Sequence, residues 1–213
     1  MRIQNGEDIK PYLSKKISDL DYNDPLLNDW GIHHLHLGLS IDESDFIERT
    51  GPVLFVRFDI KKAYFINIMP HGSWAKHELI KIIHNNWPET IEKFRIKAIY
   101  SEKKYTDSEI SILRKAGVYT LIEVDQGILY APIGGGLNTA TISTEVVTSC
   151  DYYAKKVREF ESFVVSNIDS ILLKANIENI KSSTKLDISL MIVGKKVFAL
   201  ENNFKFAFEI GTL

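Results

Sequence analysis

Residues 30–38, WGIHHLHLG, carry three of the chain's six histidines: His33, His34 and His36. A fourth, His71, follows a later apolar stretch in the sequence PHGSW. Side chains alternate faces along an extended chain, so His34 and His36 share a face and His33 takes the other. Imidazole changes charge near neutral pH, so two histidines can serve as base and acid in one turnover. Neutral imidazoles also ligate metals. The bland alternative is a set of half-buried sheet histidines bonded to backbone.

Cleavage of RNA by its own 2′-hydroxyl needs a base for that hydroxyl, an acid for the leaving oxygen, and cations for the phosphate. The chain supplies candidates for each. His34 or His36 is the expected base and His71 the expected acid. Arg49, Arg57 and Lys76 are the cations nearest in sequence. This reading requires His34, His36 and His71 to meet in one concave place. The first rival reading is a metal site. His34 and His36, then Asp42 or Glu43, then His71 form a ligand order similar to the His-x-His, acid, His set of cupins. The acid lies at least one residue too far along for that spacing, and the cupin glycines and proline are absent. No metal ligand and no cofactor is therefore assigned. The second rival is a non-enzymatic binding module of antitoxin-like or phage-inhibitor type.

Other reactive residues have plainer readings. His77 and His84 lie seven apart at the margin of a helical apolar stripe, as surface residues do. Cys150 falls within a longer stripe and reads as core. Gly134-Gly135-Gly136 lacks the Lys-Ser/Thr of a phosphate loop and reads as a turn, with Tyr130 and Asn138 flanking it.

The elements that must position these groups alternate short strands with capped helices. Residues 8–20 have helical apolar spacing despite Pro11, and 21–30 read as a loop. Strands are expected over 32–39, 52–58 and 63–69, the last two as an antiparallel hairpin about 59–62. An acidic connector covers 42–49. Ser73 is placed to cap a helix over 75–87, which Pro88 ends. A short strand follows at 95–100. Thr106 to Glu109 spell a capping box for a helix through Ala116, stopped by Gly117. A hairpin over 119–124 and 128–131, a long helix over 144–175, and strands over 186–193, 196–200 and 204–210 complete the chain. The expected class is α+β: a mostly antiparallel sheet from 32–39, 52–58, 63–69 and 95–100, with helices 75–87 and 107–116 on one face. The expected division is a 1–29 leading segment, a 30–136 core with the histidines, and a 137–213 helix and hairpin.

With 213 residues and 45% hydrophobic content, the chain can bury a proper core. A net charge of −2 argues against gripping nucleic acid by bulk charge. One cysteine excludes an internal disulfide framework and suits a reducing compartment. The N-terminus has no apolar signal core, and no run reaches the ~20 apolar residues of a membrane helix. The expectation is a soluble cytoplasmic protein with no membrane partner.

The centre of the chain resembles toxins of the RelE and HigB type, within the wider barnase-like and colicin-like ribonucleases. In those toxins a Gly-apolar-x-Glu-apolar-Arg strand leads to an Arg-bearing strand, and a third strand ends in Leu-His-Gly-Phe and two lysines. Here Gly31-Ile32-His33-His34-Leu35-His36 takes the first place. Arg49-Thr50-Gly51-Pro52-Val53-Leu54-Phe55 takes the second, and Ile68-Met69-Pro70-His71-Gly72 the third. His34 stands where the family has glutamate and His36 where it has arginine. No lysine pair follows Gly72, and the chain is about twice the usual toxin length. The resemblance implies metal-independent RNA cleavage, with RNA or the ribosome as substrate and a cognate antitoxin or other protein as partner.

Overall fold

Apolar runs joined by short turns fold into antiparallel ladders. His33–His36 (β1), Pro52–Phe58 (β2) and Ala63–Pro70 (β3) form one sheet in the order β1-β2-β3. The β2–β3 turn is fixed by Asp59, whose Oδ1 accepts the backbone N–H groups of Lys61 and Lys62 at 2.7 Å each. The computed structural model describes residues 3–97, 104–174 and 185–213. Among them are four α-helices and three three-stranded antiparallel sheets, so the α+β expectation holds. The chain divides into two compact units, Met1–Val147 and Thr148–Leu213. Among the described residues no helix is long and apolar enough to cross a membrane.

In the first unit a helix replaces the expected loop before β1. Pro25–Trp30 (α1) begins at Asp24, whose carboxylate accepts the N–H groups of Leu26 and Leu27, and ends at Gly31 with φ 64°. Asp at the cap, Pro at the first position and Gly at the stop are the ordinary punctuation of a helix, here over six residues. Over 8–20 the opposite correction applies. The segment forms two 3₁₀ turns, Lys10–Tyr12 and Lys15–Ser18. Leu13 is extended between them, and the Ser14 hydroxyl caps the second by accepting from the Lys16 N–H. That local bond competes with continuing one helix.

His77–Asn86 (α2) starts two residues later than expected, and Ser73 does not cap it. The Asp107 carboxylate takes the His77 N–H instead, at 3.1 Å. Such a cap is worth about 1 kcal/mol. Leu79, Ile80 and Ile83 are fully buried, each worth roughly 1.5–3 kcal/mol, so core packing dominates in holding α2. Asp107–Lys115 (α3) carries the expected capping box, Thr106 with Glu109. Residues 95–100 do not extend the first sheet. Arg95–Ile96 (β4) pairs with Ile128–Tyr130 (β6), which also pairs with Ile122–Asp125 (β5); residues 98–100 lie outside the described residues. Trp30, Phe55, Leu79, Ile83, Ile110 and Tyr130 belong to one buried cluster that unites both sheets and α1 to α3.

The glycine run clasps α1. The Gly134 N–H donates to Asp29 O at 2.9 Å and the Gly136 N–H to Asn28 O at 2.8 Å. A Cβ on Gly134 would lie 2.1 Å from Leu27 O and 2.5 Å from Asn28 O, both rigid backbone.

In the second unit, Ile188–Val193 (β7), Lys196–Glu201 (β8) and Phe206–Thr212 (β9) form a sheet in that order. The preceding helix is Thr144–Lys174 (α4). Its stripe is buried at Val164 and Ile171, while Val146, Tyr153 and Val157 are about half exposed. Cys150, read as core, is exposed as well. The helical period found the stripe but could not show where along the helix its cover ends.

Two stability outcomes follow. Gly134→Ala should destabilise the protein by about 3 kcal/mol or more, because backbone must move. Cys150→Ser should change stability by less than about 0.5 kcal/mol, as at other exposed positions. Urea denaturation of each variant against wild type measures both.

Candidate functional site

β1 pairs with β2 so that His34 faces Phe55 and His36 faces Val53. The two histidines share a sheet face, with ring centroids 6.0 Å apart. His33, opposite Val56, packs 5.4 Å from Phe58 instead. β3 returns antiparallel and ends at Pro70, which delivers His71 beside the same face. The His71 N–H is tied to Gly51 O at 2.7 Å. Its ring stacks on that of His36 with centroids 6.0 Å apart. Trp74 touches both other rings, 4.5 Å from His34 and 4.8 Å from His71. The three expected histidines therefore converge.

They do not have equal access. A pocket of about 330 Å³ opens beside them, lined by His34, His71, Trp74, Arg49 and Arg114 together with residues of the leading segment such as Lys16 and Asp24. His36 does not line it. That residue is 2% exposed, and its Nδ1 has no hydrogen-bond partner among the described residues. Burial, then the nearby Arg49 and His71 charges, lower its pKa. Its place is behind His34 and His71 rather than in the pocket.

His34 is held strongly neutral. Burial is the main cause, Asp24 opposes it, and His36, His71 and His33 reinforce it, for a pKa lowered to about 4. Asp24 Oδ2 lies 3.9 Å from His34 Nδ1, too far for a hydrogen bond, so the carboxylate acts only through space.

Arg49 lines the pocket, but two other expected cations lie outside it. Arg57 is half-buried and donates to Thr90 O at 3.3 Å. Lys76 pairs with Asp107 at 3.1 Å. The cation that sequence reasoning missed is Arg114. It sits in the last turn of α3, 6% exposed, with its Nε 2.7 Å from Asp29 Oδ2 and its guanidinium 4.2 Å from the Trp30 ring centre. Nη1 donates to the Trp74 carbonyl, while Nη2 is buried with no partner among the described residues. No local signal marks Arg114, because Asp29 is 85 residues away.

Neither of the remaining histidines is a bare surface residue. His77 Nδ1 bonds Asp107 Oδ1 at 2.6 Å, and His84 Nδ1 bonds the hydroxyl of buried Tyr130 at 2.8 Å. Tyr130 is thus core, not cleft lining. The acid of the cupin-like set is also engaged elsewhere: Asp42 pairs with Lys15 at 2.5 Å. Among the described residues no three His, Cys, Asp or Glu side chains are grouped to hold a metal ion.

The arrangement is a part-apolar, cation-rich pocket with one neutral and one exposed imidazole. It suits an anionic ligand from which a proton is taken and to which one is returned. No protein-family model, curated protein or solved structure matches this chain.

His34 also links the site to stability. Its folded pKa of about 4 lies below the ordinary imidazole value of 6.5, so the unfolded chain binds more protons between them. Stability should be full above pH 6.5 and decline as pH falls towards 4. His34→Gln should flatten that decline, read as the pH slope of the urea-unfolding free energy.

Proposed function

We propose that this pocket binds a phosphodiester of RNA and cleaves it by metal-independent histidine chemistry. The observation that carries the reading is the convergence of His34, His71, Arg49 and the buried Arg114 on one pocket. In this mechanism His34, neutral at physiological pH, takes the proton of the 2′-hydroxyl. The 2′-oxygen attacks phosphorus, and the bond to the 5′-oxygen breaks. His71 gives that oxygen a proton, leaving a 2′,3′-cyclic phosphate and a free 5′-hydroxyl. The net change moves one proton from the 2′-oxygen to the 5′-oxygen.

A base with a pKa near 4 is weak in the empty pocket. A phosphate anion placed beside it favours the protonated imidazole and so strengthens it when substrate is bound. Arg114 and Arg49 offset the charge that grows on the phosphate oxygens. Trp74, between the two imidazoles, fixes their separation. Arg57 and Lys76 take no part. On this reading the single cysteine suits a reducing cytoplasm, with the ribosome as one setting in which RNA is presented.

The test is cleavage of RNA by purified protein, alone and with ribosomes. His34→Ala and His71→Ala should each lower the rate by about 10²–10⁴ without unfolding the protein. Lys76→Ala and added chelator should leave it unchanged. Wild-type protein that is folded yet leaves RNA intact in both settings would overturn the proposal.

A further inference from the structure

Strand β7 occupies one edge of the second unit's sheet, paired only with β8 among the described residues. Its sequence, ISLMIV, has no charge and no proline. Edge strands are normally guarded by a lysine, a proline or a bulge. The β7–β8 register runs unbroken, so a bulge is missing too. Both faces of β7 stay open: Leu190 is 40% and Ile192 52% exposed on one, Met191 36% and Val193 57% on the other. On the first face the neighbouring β8 residues Val197 and Ala199 are 0% and 1% exposed. The cover of the sheet therefore stops short of β7.

The backbone of that edge is also available. The Asp187 carbonyl accepts the Asn202 N–H at 2.8 Å, so Asp187 points its polar groups towards β8. Alternation then turns those of Ser189, Met191 and Val193 the same way, and those of Ile188, Leu190 and Ile192 outward.

We infer that the chain forms a two-fold dimer by pairing β7 with β7 of a second copy. An antiparallel pair related by a two-fold axis must set one residue opposite itself, because hydrogen-bonded and non-hydrogen-bonded pairs alternate. Two centres are available in the middle of the strand, and charge chooses between them. Centred on Leu190, the register sets Asp187 against Val193 of the second copy and brings Lys185 to its Gly194-Lys195 turn, where the Lys195 side chain repels it. Centred on Met191, it brings Asp187 to that turn instead, within reach of the Lys195 side chain, once at each end. Between these ion pairs Leu190 meets Ile192 and Ser189 meets Val193, and the outward groups of Leu190 and Ile192 form the hydrogen-bonded pairs. Within one chain Asp187 precedes β7 and Lys195 lies in the turn that follows it, roughly 20 Å apart along the strand, so the complementarity serves a second copy. The Met191 register is the one this edge encodes, and it joins two three-stranded sheets into one of six. The inference rests on β7 and its flanks and is independent of the RNA-cleavage reading.

Sedimentation of the full chain tests it. Wild-type protein should be dimeric at tens of micromolar, and Met191→Lys should weaken the dimer by more than ~tenfold through like charges brought together. Asp187→Lys and Lys195→Asp should each weaken it, and the double exchange should restore it. Crosslinking checks the register even if a lysine variant fails to fold. In a Cys150→Ser background, oxidised Met191→Cys should give a covalent dimer, because a residue opposite itself lies within disulfide reach. Leu190→Cys should not. A wild-type monomer at these concentrations, or equal crosslinking of the two cysteine variants, would overturn the dimer.

Discussion

The geometry of the first unit hangs on one buried ion pair. Asp29 and Arg114 have side chains 3% and 5% exposed. Burial raises the Asp29 pKa to about 6, with Arg114 opposing the rise through its charge and hydrogen bond. Two charges taken out of water are held only where each has close partners. Arg114 has three: Asp29, the Trp30 ring and the Trp74 carbonyl. Those partners belong to the end of α1 and to the segment after His71. One guanidinium therefore ties the stretch that enters β1, and so His34, to the stretch that holds His71 and Trp74. The contacts of Trp74 with His34 and His71, at 4.5 and 4.8 Å between ring centroids, are held by that tie.

A single hydrogen bond could not do the same work. A net bond to a neutral group contributes about 1 kcal/mol, whereas removing one member of a buried ion pair costs about 3–5 kcal/mol because a charge is stranded. The difference makes the pair a positional constraint more than a source of stability. The glycine run approaches α1 closely for a separate reason. Gly134 and Gly136 bond to the carbonyls of Asp29 and Asn28, groups the short helix leaves unpaired at its end.

Periodicity and turn chemistry made much of this legible in the sequence. The alternation in residues 33–36 put His34 and His36 together, and the length of the β2–β3 hairpin returned His71 to them. Thr106 to Glu109 located α3. What could not be read depends on distance along the chain. The Asp29–Arg114 pair spans 85 residues. The capping of α2 by Asp107 spans 30. Arg57 and Lys76 were near the histidines in sequence, yet a strand and a helix start carry them to other partners. Residues 24–31 were a different kind of miss, since Asp24, Pro25 and Gly31 were visible punctuation around a segment too short to show a helical period.

The unsatisfied groups at the pocket carry an energetic consequence. Arg114 Nη2 and His34 Nδ1 are buried without hydrogen-bond partners among the described residues, at a cost of about 1–3 kcal/mol for a neutral group and more for a charged one. Negative charge in the pocket offsets part of that cost through space, because it lies near the buried guanidinium. The same charge raises the proton affinity of His34. Occupancy and protonation are thus linked in one direction: ligand favours protonated His34, and protonated His34 favours ligand. In the empty pocket both are opposed by burial and by the clustered positive charge. Burial and clustered positive charge both oppose a proton on His34, and opposite charge nearby is what offsets them.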